Sequence, residues 1–348
     1  MIGTIGGWVL GLGLGAAGGA LFALLDLPLP WMLGALAATT AAALSGWSPA
    51  VPAPLRVAMI AVLGLMLGSA FSPDLAERLE RWAGSLAALL AAMAVTTALV
   101  VVYLRRAAAM DPVTAFFAGA PGGINEMVLT GGALGGDERA IALSHSLRIL
   151  LIVFTVPFGY RLIAHVHSVP MAQSMGRLAD VGLADAGMMA GMALAGAALA
   201  RLVRLPAWML TGPMIASAAL HLAGLTASKP PAELVILAQV VTGASIGSRF
   251  RGLGWARMAA MARPAVGATA IMLAVSATAA GLLAVWSGLP FAALLLAFVP
   301  GGIAEMCLVA LALGQDVAFV STHHVARVVL VIMLAPPAFR LLRSLSQS

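Results

Sequence analysis

The chain has 348 residues, 62% of them hydrophobic and only 9% charged, with a mean hydropathy of +1.04. Soluble globular chains carry about 25% charged residues, so that class is excluded, and apolar runs of roughly 20 residues, long enough to cross a bilayer, recur throughout. The net charge of +6 is nearly all arginine, scattered between apolar segments as topology signals rather than as a phosphate-binding patch, and the one cysteine, Cys307, excludes an intrachain disulfide or a cysteine-rich metal cage.

In chain order, the first apolar segment runs from Ile2 to Leu25. The first basic residue is Arg56, so this segment lacks the charged start of a secretory signal and reads as a membrane helix. Five more follow at about 28–46, 55–72, 82–104, 112–135 and 139–164. The stretch from Arg161 to Asp180, with His165, His167, Pro170, Gln173 and Arg177, is the longest relatively polar one and reads as a linker. Six segments then return at about 182–203, 206–223, 233–250, 262–286, 289–313 and 316–343. The division expected is a first membrane repeat over 1–164, a linker over 165–181 and a second repeat over 182–348.

The duplication is visible residue by residue. Pro121-Gly-Gly-Ile-Asn-Glu126-Met127 returns as Pro300-Gly-Gly-Ile-Ala-Glu305-Met306. One offset of 179 positions relates Glu126 to Glu305 (305 − 126), His145 to His324 (324 − 145) and Arg148 to Arg327 (327 − 148). Gly64, Gly68, Ser69 and Phe71 match Gly243, Gly247, Ser248 and Phe250 at the same offset. Around the second segments, Leu29-Pro-Trp-Met-Leu-Gly34 resembles Leu205-Pro-Ala-Trp-Met-Leu-Thr-Gly212.

Loop charges indicate that the repeats are inverted. Between the third and fourth segments the first repeat offers Asp74, Glu77, Arg78, Glu80 and Arg81, whereas the second offers Arg249, Arg251, Arg257 and Arg263 with no acid. Between the fourth and fifth the bias reverses, with Arg105 and Arg106 answered by nothing basic. Equivalent loops thus prefer opposite sides. Inversion needs an odd number of crossings per repeat. The fifth segment, interrupted by Pro-Gly-Gly, is expected to be the one that does not cross, as a re-entrant piece or two half-helices; the short, Pro-flanked second segment is the competing choice. The fold class expected is an all-α polytopic membrane protein of two inverted repeats, each with about five crossings and one broken or re-entrant segment. Both termini then lie inside and the linker outside.

The duplicated string carries the candidate chemistry. A break at Pro121 or Pro300, with Gly122, Gly123, Gly301 and Gly302, leaves backbone groups that lipid cannot satisfy. Such a break persists either as a closely packed kink or because it lines a polar cavity and binds something. Glu126 and Glu305 fall in the first turn of the following half-helix, either as caps or as sites for a proton or coupling ion. His145 and Arg148, like His324 and Arg327, lie three apart and share a helix face. The expected arrangement pairs Glu126 with Arg148 or His145, and Glu305 with Arg327 or His324. Arginine charge left over would draw an anion. Asn125 becomes Ala304, and His323 with Ser321 and Thr322 adds polar atoms to the second repeat only, so the two half-sites differ. No P-loop, nucleophile elbow, zincin or Cys-x-x-Cys motif is present.

The paired PGGIxEM strings, the downstream His-x-x-Arg and the Pro-Trp-Met-Leu segments resemble the AbrB-type family of duplicated membrane proteins, over essentially the whole chain. The resemblance implies the labels carried by that family, ammonia monooxygenase or regulator of gene expression. The residues argue against both as direct activities. A copper oxygenase needs clustered histidines, and here only His323-His324 and His165/His167 are close in sequence. A direct DNA binder needs a basic soluble module, and no polar stretch is long enough for one. In architecture the family is similar to inverted-repeat transporters with broken helices, such as the sodium/proton antiporter and bile-acid symporter group. The function expected is therefore secondary transport, in the inner membrane, of a small and preferably anionic solute coupled to protons or sodium. The alternative is a non-transporting membrane protein acting indirectly on gene expression. No enzyme activity, metal or cofactor is expected, and no nucleic-acid partner; the bilayer and a small solute or ion are the partners, with a homo-oligomer left open.

Overall fold

The computed structural model describes residues 2–73, 75–164 and 175–345. His165, His167, Pro170 and Gln173, and with them most of the expected linker, lie outside the described residues, as does Asp74. Among the described residues there is no strand. The first repeat forms α1 (Ile2–Leu24), α2 (Pro30–Leu44), α3 (Ala53–Gly68), α4 (Leu75–Ala107), α5 (Pro112–Gly119), α6 (Ile124–Ala133) and α7 (Glu138–Ala164). The second forms α8 (Leu183–Leu202), α9 (Trp208–Leu222), α10 (Ala232–Gly247), α11 (Gly254–Ser287), α12 (Phe291–Phe298), α13 (Ile303–Ala312) and α14 (Val317–Leu345).

The correspondence between repeats is close. α4 and α11 have 33 and 34 residues, α5 and α12 have 8 each, and α6 and α13 have 10 each. Among the described residues six helices are long and apolar enough to cross a membrane: α1, α4, α7, α8, α11 and α14. This is the make-up of a multi-pass membrane protein. α2, α3, α9 and α10, at 15 or 16 residues, reach only about 23 Å at 1.5 Å per residue, short of a hydrocarbon core of about 30 Å. The fifth segment of each repeat is two short helices separated at Ala120–Gly123 and Val299–Gly302. α4 and α11 begin about two turns earlier than their apolar cores, so Arg78, Glu80 and Arg81 sit on helix rather than in a loop.

The helices group into two compact units that cut across the repeats. One comprises Met1–Arg78, Phe154–Met258 and Cys307–Ala318, hence α1–α3 and α8–α10. In it, α3 packs against α9 and α10 against α2, so each repeat's third helix lies on the other repeat's second. Glycine makes this possible. A Cβ on Gly64 would lie 2.5 Å from the Leu210 carbonyl, and one on Gly243 would run into that of Met32. Leu33, Leu36, Leu63, Leu67 and Val241 fill the seam, all fully buried.

The other unit comprises Leu79–Val153, Ala259–Met306 and Phe319–Ser348, and holds both breaks. Its long helices α4 and α11 run antiparallel. The start of α4 meets the end of α11 where Gly84 lies under Trp286, and its end meets the start of α11 where Tyr103 covers Gly267. Phe116 and Phe117 of α5 pack on Phe339 of α14, with ring centroids 5.3 and 5.7 Å apart.

Candidate functional site: two broken helices

Each break begins with its proline. Proline pushes the preceding residue out of the helical region, and Ala120 and Val299 are extended, with φ/ψ of −64°/134° and −61°/129°. The chain turns through a tight bond from the Gly122 N–H to the Ala120 carbonyl (2.9 Å), matched by Gly301 to Val299 (2.8 Å). Helix resumes at Ile124 and Ile303.

Broken this way, α5 and α12 each end in carbonyls without helical partners. The duplicated histidine and arginine of the following long helix supply the donors. His145 Nε2 donates to the Phe117 carbonyl (2.8 Å), and Arg148 donates to those of Ala120 and Gly122 (3.2 Å each). In the second repeat His324 Nε2 donates to Leu296 (2.9 Å), and Arg327 to Val299 (2.8 Å) and Gly301 (2.9 Å). All four side chains are buried. The sequence separations are 28, 28 and 26 residues in both repeats. A guanidinium fork suits two neighbouring oxygens, and a cation suits the negative end of a helix.

The pairing expected of Glu126 with Arg148 or His145 is therefore not what these hydrogen bonds serve: they go to backbone carbonyls. In the second repeat, too, His324 and Arg327 donate to the carbonyls of the break. Each glutamate also sits at the positive start of its second half-helix, which favours a carboxylate. Glu126 and Glu305 lie in the first turn of α6 and α13. Each carboxylate folds back over its own Gly123 or Gly302, where a Cβ would collide with it. That close approach is what the second glycine of the motif permits; its backbone angles are ordinary ones at Gly123, φ −69° and ψ 140°.

The half-sites differ in exposure. Asn125 is exposed and Glu126 half-buried, whereas Ala304 and Glu305 are buried. Arg327 also donates to Nδ1 of His324 (2.8 Å); in the first repeat Nδ1 of His145 has no partner.

Both breaks reach one small cavity. Pro121, Pro300, Phe298 and Arg327 line it with Met93 and Thr96 of α4 and Ser276 of α11, around about 10 Å³. That is room for about one water-sized particle. Glu126, Glu305 and Asn125 are not among its lining residues. Thr96 and Ser276 escaped the sequence reading, and a hydroxyl within an apolar fourth segment was the one signal that marked them. Among the described residues no three His, Cys, Asp or Glu side chains gather as metal ligands.

Comparison with known sequences places these features in company. The profile of a family described as Transition state regulatory protein AbrB matches residues 5–343, both breaks included. A Bacillus subtilis (strain 168) protein, printed as Uncharacterized protein YhjN, is 27% identical over 354 residues, covering 95% of this chain and 91% of its own length. No solved structure matches.

Proposed function

Because the chain belongs to the AbrB family of membrane proteins, we propose that it is a secondary transporter of the inner membrane, moving a small anionic solute coupled to protons or sodium. The observation that carries this reading is the single cavity shared by Pro121, Pro300 and Arg327. Two interrupted helices abutting at one polar point give a site where backbone groups are kept from lipid. In this reading Glu126 and Glu305 take the coupling ion at the starts of α6 and α13. Arg148 and Arg327 hold the breaks open as defined turns and supply the positive charge that favours an anion. The cavity as it stands is the closed state, and access from either side needs the two half-helix pairs to part.

Inversion of the repeats, with an odd number of crossings in each, belongs to the same proposal. It is supported by the opposed loop charges and by the antiparallel course of the equivalent helices α4 and α11. The description attached to the family favours a second reading, a membrane protein that acts indirectly on gene expression without moving a solute.

The test is flux in proteoliposomes holding a pH-sensitive dye, challenged with a panel of small carboxylates and inorganic anions with and without sodium. At least one anion should discharge the proton or sodium gradient, and Glu126→Gln and Glu305→Gln should each abolish that flux with folded protein retained. Gradients that survive the whole panel, or flux untouched in both variants, would overturn the reading.

A further inference from the structure

Three imidazoles in the unit that carries the breaks are fully buried: His145, His323 and His324. A buried imidazole works in two protonation states only if both ring nitrogens find partners in each. His145 donates from Nε2, and its Nδ1 has no partner; a second proton would make a bare N–H beside Arg148. His324 donates from Nε2 and accepts at Nδ1 from Arg327, a group that does not give up its proton. Neither ring has a place for a second proton.

His323 differs. Its Nδ1 lies 2.8 Å from the Phe319 carbonyl, which can only accept, so Nδ1 carries a hydrogen. Its Nε2 lies 2.9 Å from Oγ of Ser85, and that Oγ also lies 2.8 Å from the Trp82 carbonyl. The hydroxyl has one hydrogen to give. Turned toward Nε2, it serves a neutral ring. Turned toward the Trp82 carbonyl, it presents a lone pair to Nε2, which then needs a second N–H. One hydroxyl rotation therefore leaves both protonation states fully hydrogen-bonded. The ring of Phe319 is 4.1 Å away between centroids, with Phe298 and Trp82 at 6.3 and 6.5 Å, and aromatic faces favour a cation.

We propose that Ser85 and His323 form a proton-binding site that controls the second break. Arg327 follows one turn later on the same face of α14, so a proton on His323 repels the guanidinium that holds the Val299 and Gly301 carbonyls. The other charged or titratable neighbours are few. His324 is adjacent on α14; α12, which brings Phe298, carries none. On α4, which brings Trp82 and Ser85, Glu80 and Arg81 are exposed. Seven positions before Ser85 and His323, Arg78 and Asp316 form an ion pair at 2.9 Å. The first repeat has Ser144 at the matching position, so the control acts on one break of the two. This consequence rests on the transport reading; the proton site itself does not.

The test is nitrogen NMR of the full chain in lipid nanodiscs with labelled histidine, His323 being assigned by the signal lost in His323→Gln. At alkaline pH His323 should show the Nδ1–H tautomer, and His145 and His324 the Nε2–H tautomer. Between about pH 9 and pH 5 both nitrogens of His323 should become protonated while those of the other two hold. Ser85→Ala should lose the doubly protonated form over that range, and Ser85→Thr should restore it. A His323 fixed in one form throughout, or a titration unchanged in Ser85→Ala, overturns the site. No solute enters this measurement, so an absence of flux in liposomes would sink the transport reading and leave the proton site standing.

Discussion

A guanidinium that bridges two backbone oxygens is doing the work of amide groups that a straight helix would have placed there. Arg148 spans the Ala120 and Gly122 carbonyls at 3.2 Å each, and a lysine ammonium cannot hold both in one plane. Arg148→Lys is therefore expected to lose one bond of the two and to destabilise the protein by about 1.5–3 kcal/mol, the range for a hydrogen bond to a charged group. Thermal unfolding in detergent reads this, and a melting temperature equal to wild type would remove the bridge from the account. The sequence exposed half of this arrangement. His145, Arg148, His324 and Arg327 were marked by type, spacing and offset, but every residue has a carbonyl, so nothing in the string of letters names Phe117, Ala120 or Gly122 as acceptors. The hydroxyls of Thr96 and Ser276 were ambiguous for a related reason: an apolar helix tolerates a hydroxyl bonded to its own backbone, as Thr97 is to Met93, and sequence does not separate that case from a cavity wall.

Among the elements, the broken fifth segments were legible because Pro-Gly-Gly is hard to place inside a helix. The early starts of α4 and α11 were not, since Glu77, Arg78, Glu80 and Arg81 read as loop although such residues form helix well. The two α5-type helices also begin differently. Asp111, in the loop before α5, caps it by accepting from the Val113 and Thr114 amides at 3.0 Å, whereas α12 starts after Pro290 with no side-chain cap. Partial burial pushes the Asp111 carboxyl up, but hydrogen bonds from the Thr114 side chain and from the Thr114 and Val113 backbone outweigh it and hold the group below its ordinary 3.8. Because the folded value is the lower one, the charged cap contributes above pH 3.8 and fades as the pH falls below it. Asp111→Ala should cost about 1 kcal/mol near neutral pH, with a smaller deficit in strong acid. Unfolding followed against pH checks this; a deficit that grows in acid would contradict the cap.

For the whole molecule, the sequence revealed the duplication and the loop-charge asymmetry, but which helix packs on which depends on contacts between distant segments. The exchange of partners, α3 with α9 and α10 with α2, has no local signature beyond Gly64 and Gly243. The proposed inversion makes a direct prediction about sidedness. In a chain with Cys307 replaced by serine, a cysteine introduced at Ala108, between α4 and α5, should be alkylated from the cytoplasmic side. One at Gly288, between α11 and α12, should react from the opposite side. Labelling of both from one side would place the repeats in parallel.

The exchanged packing also bears on descent. A chain consisting of one repeat alone would present a third helix, its glycines bare, to a second helix that only another copy could provide. Such a half-length ancestor would have been obliged to pair with itself, and any change in its sequence would have appeared at both breaks at once. Joining the copies end to end lifted that obligation. Asn125 against Ala304, and Ser144 against His323, are differences that two identical copies cannot hold. One break was thereby free to acquire a charge sensor while the other kept an exposed amide.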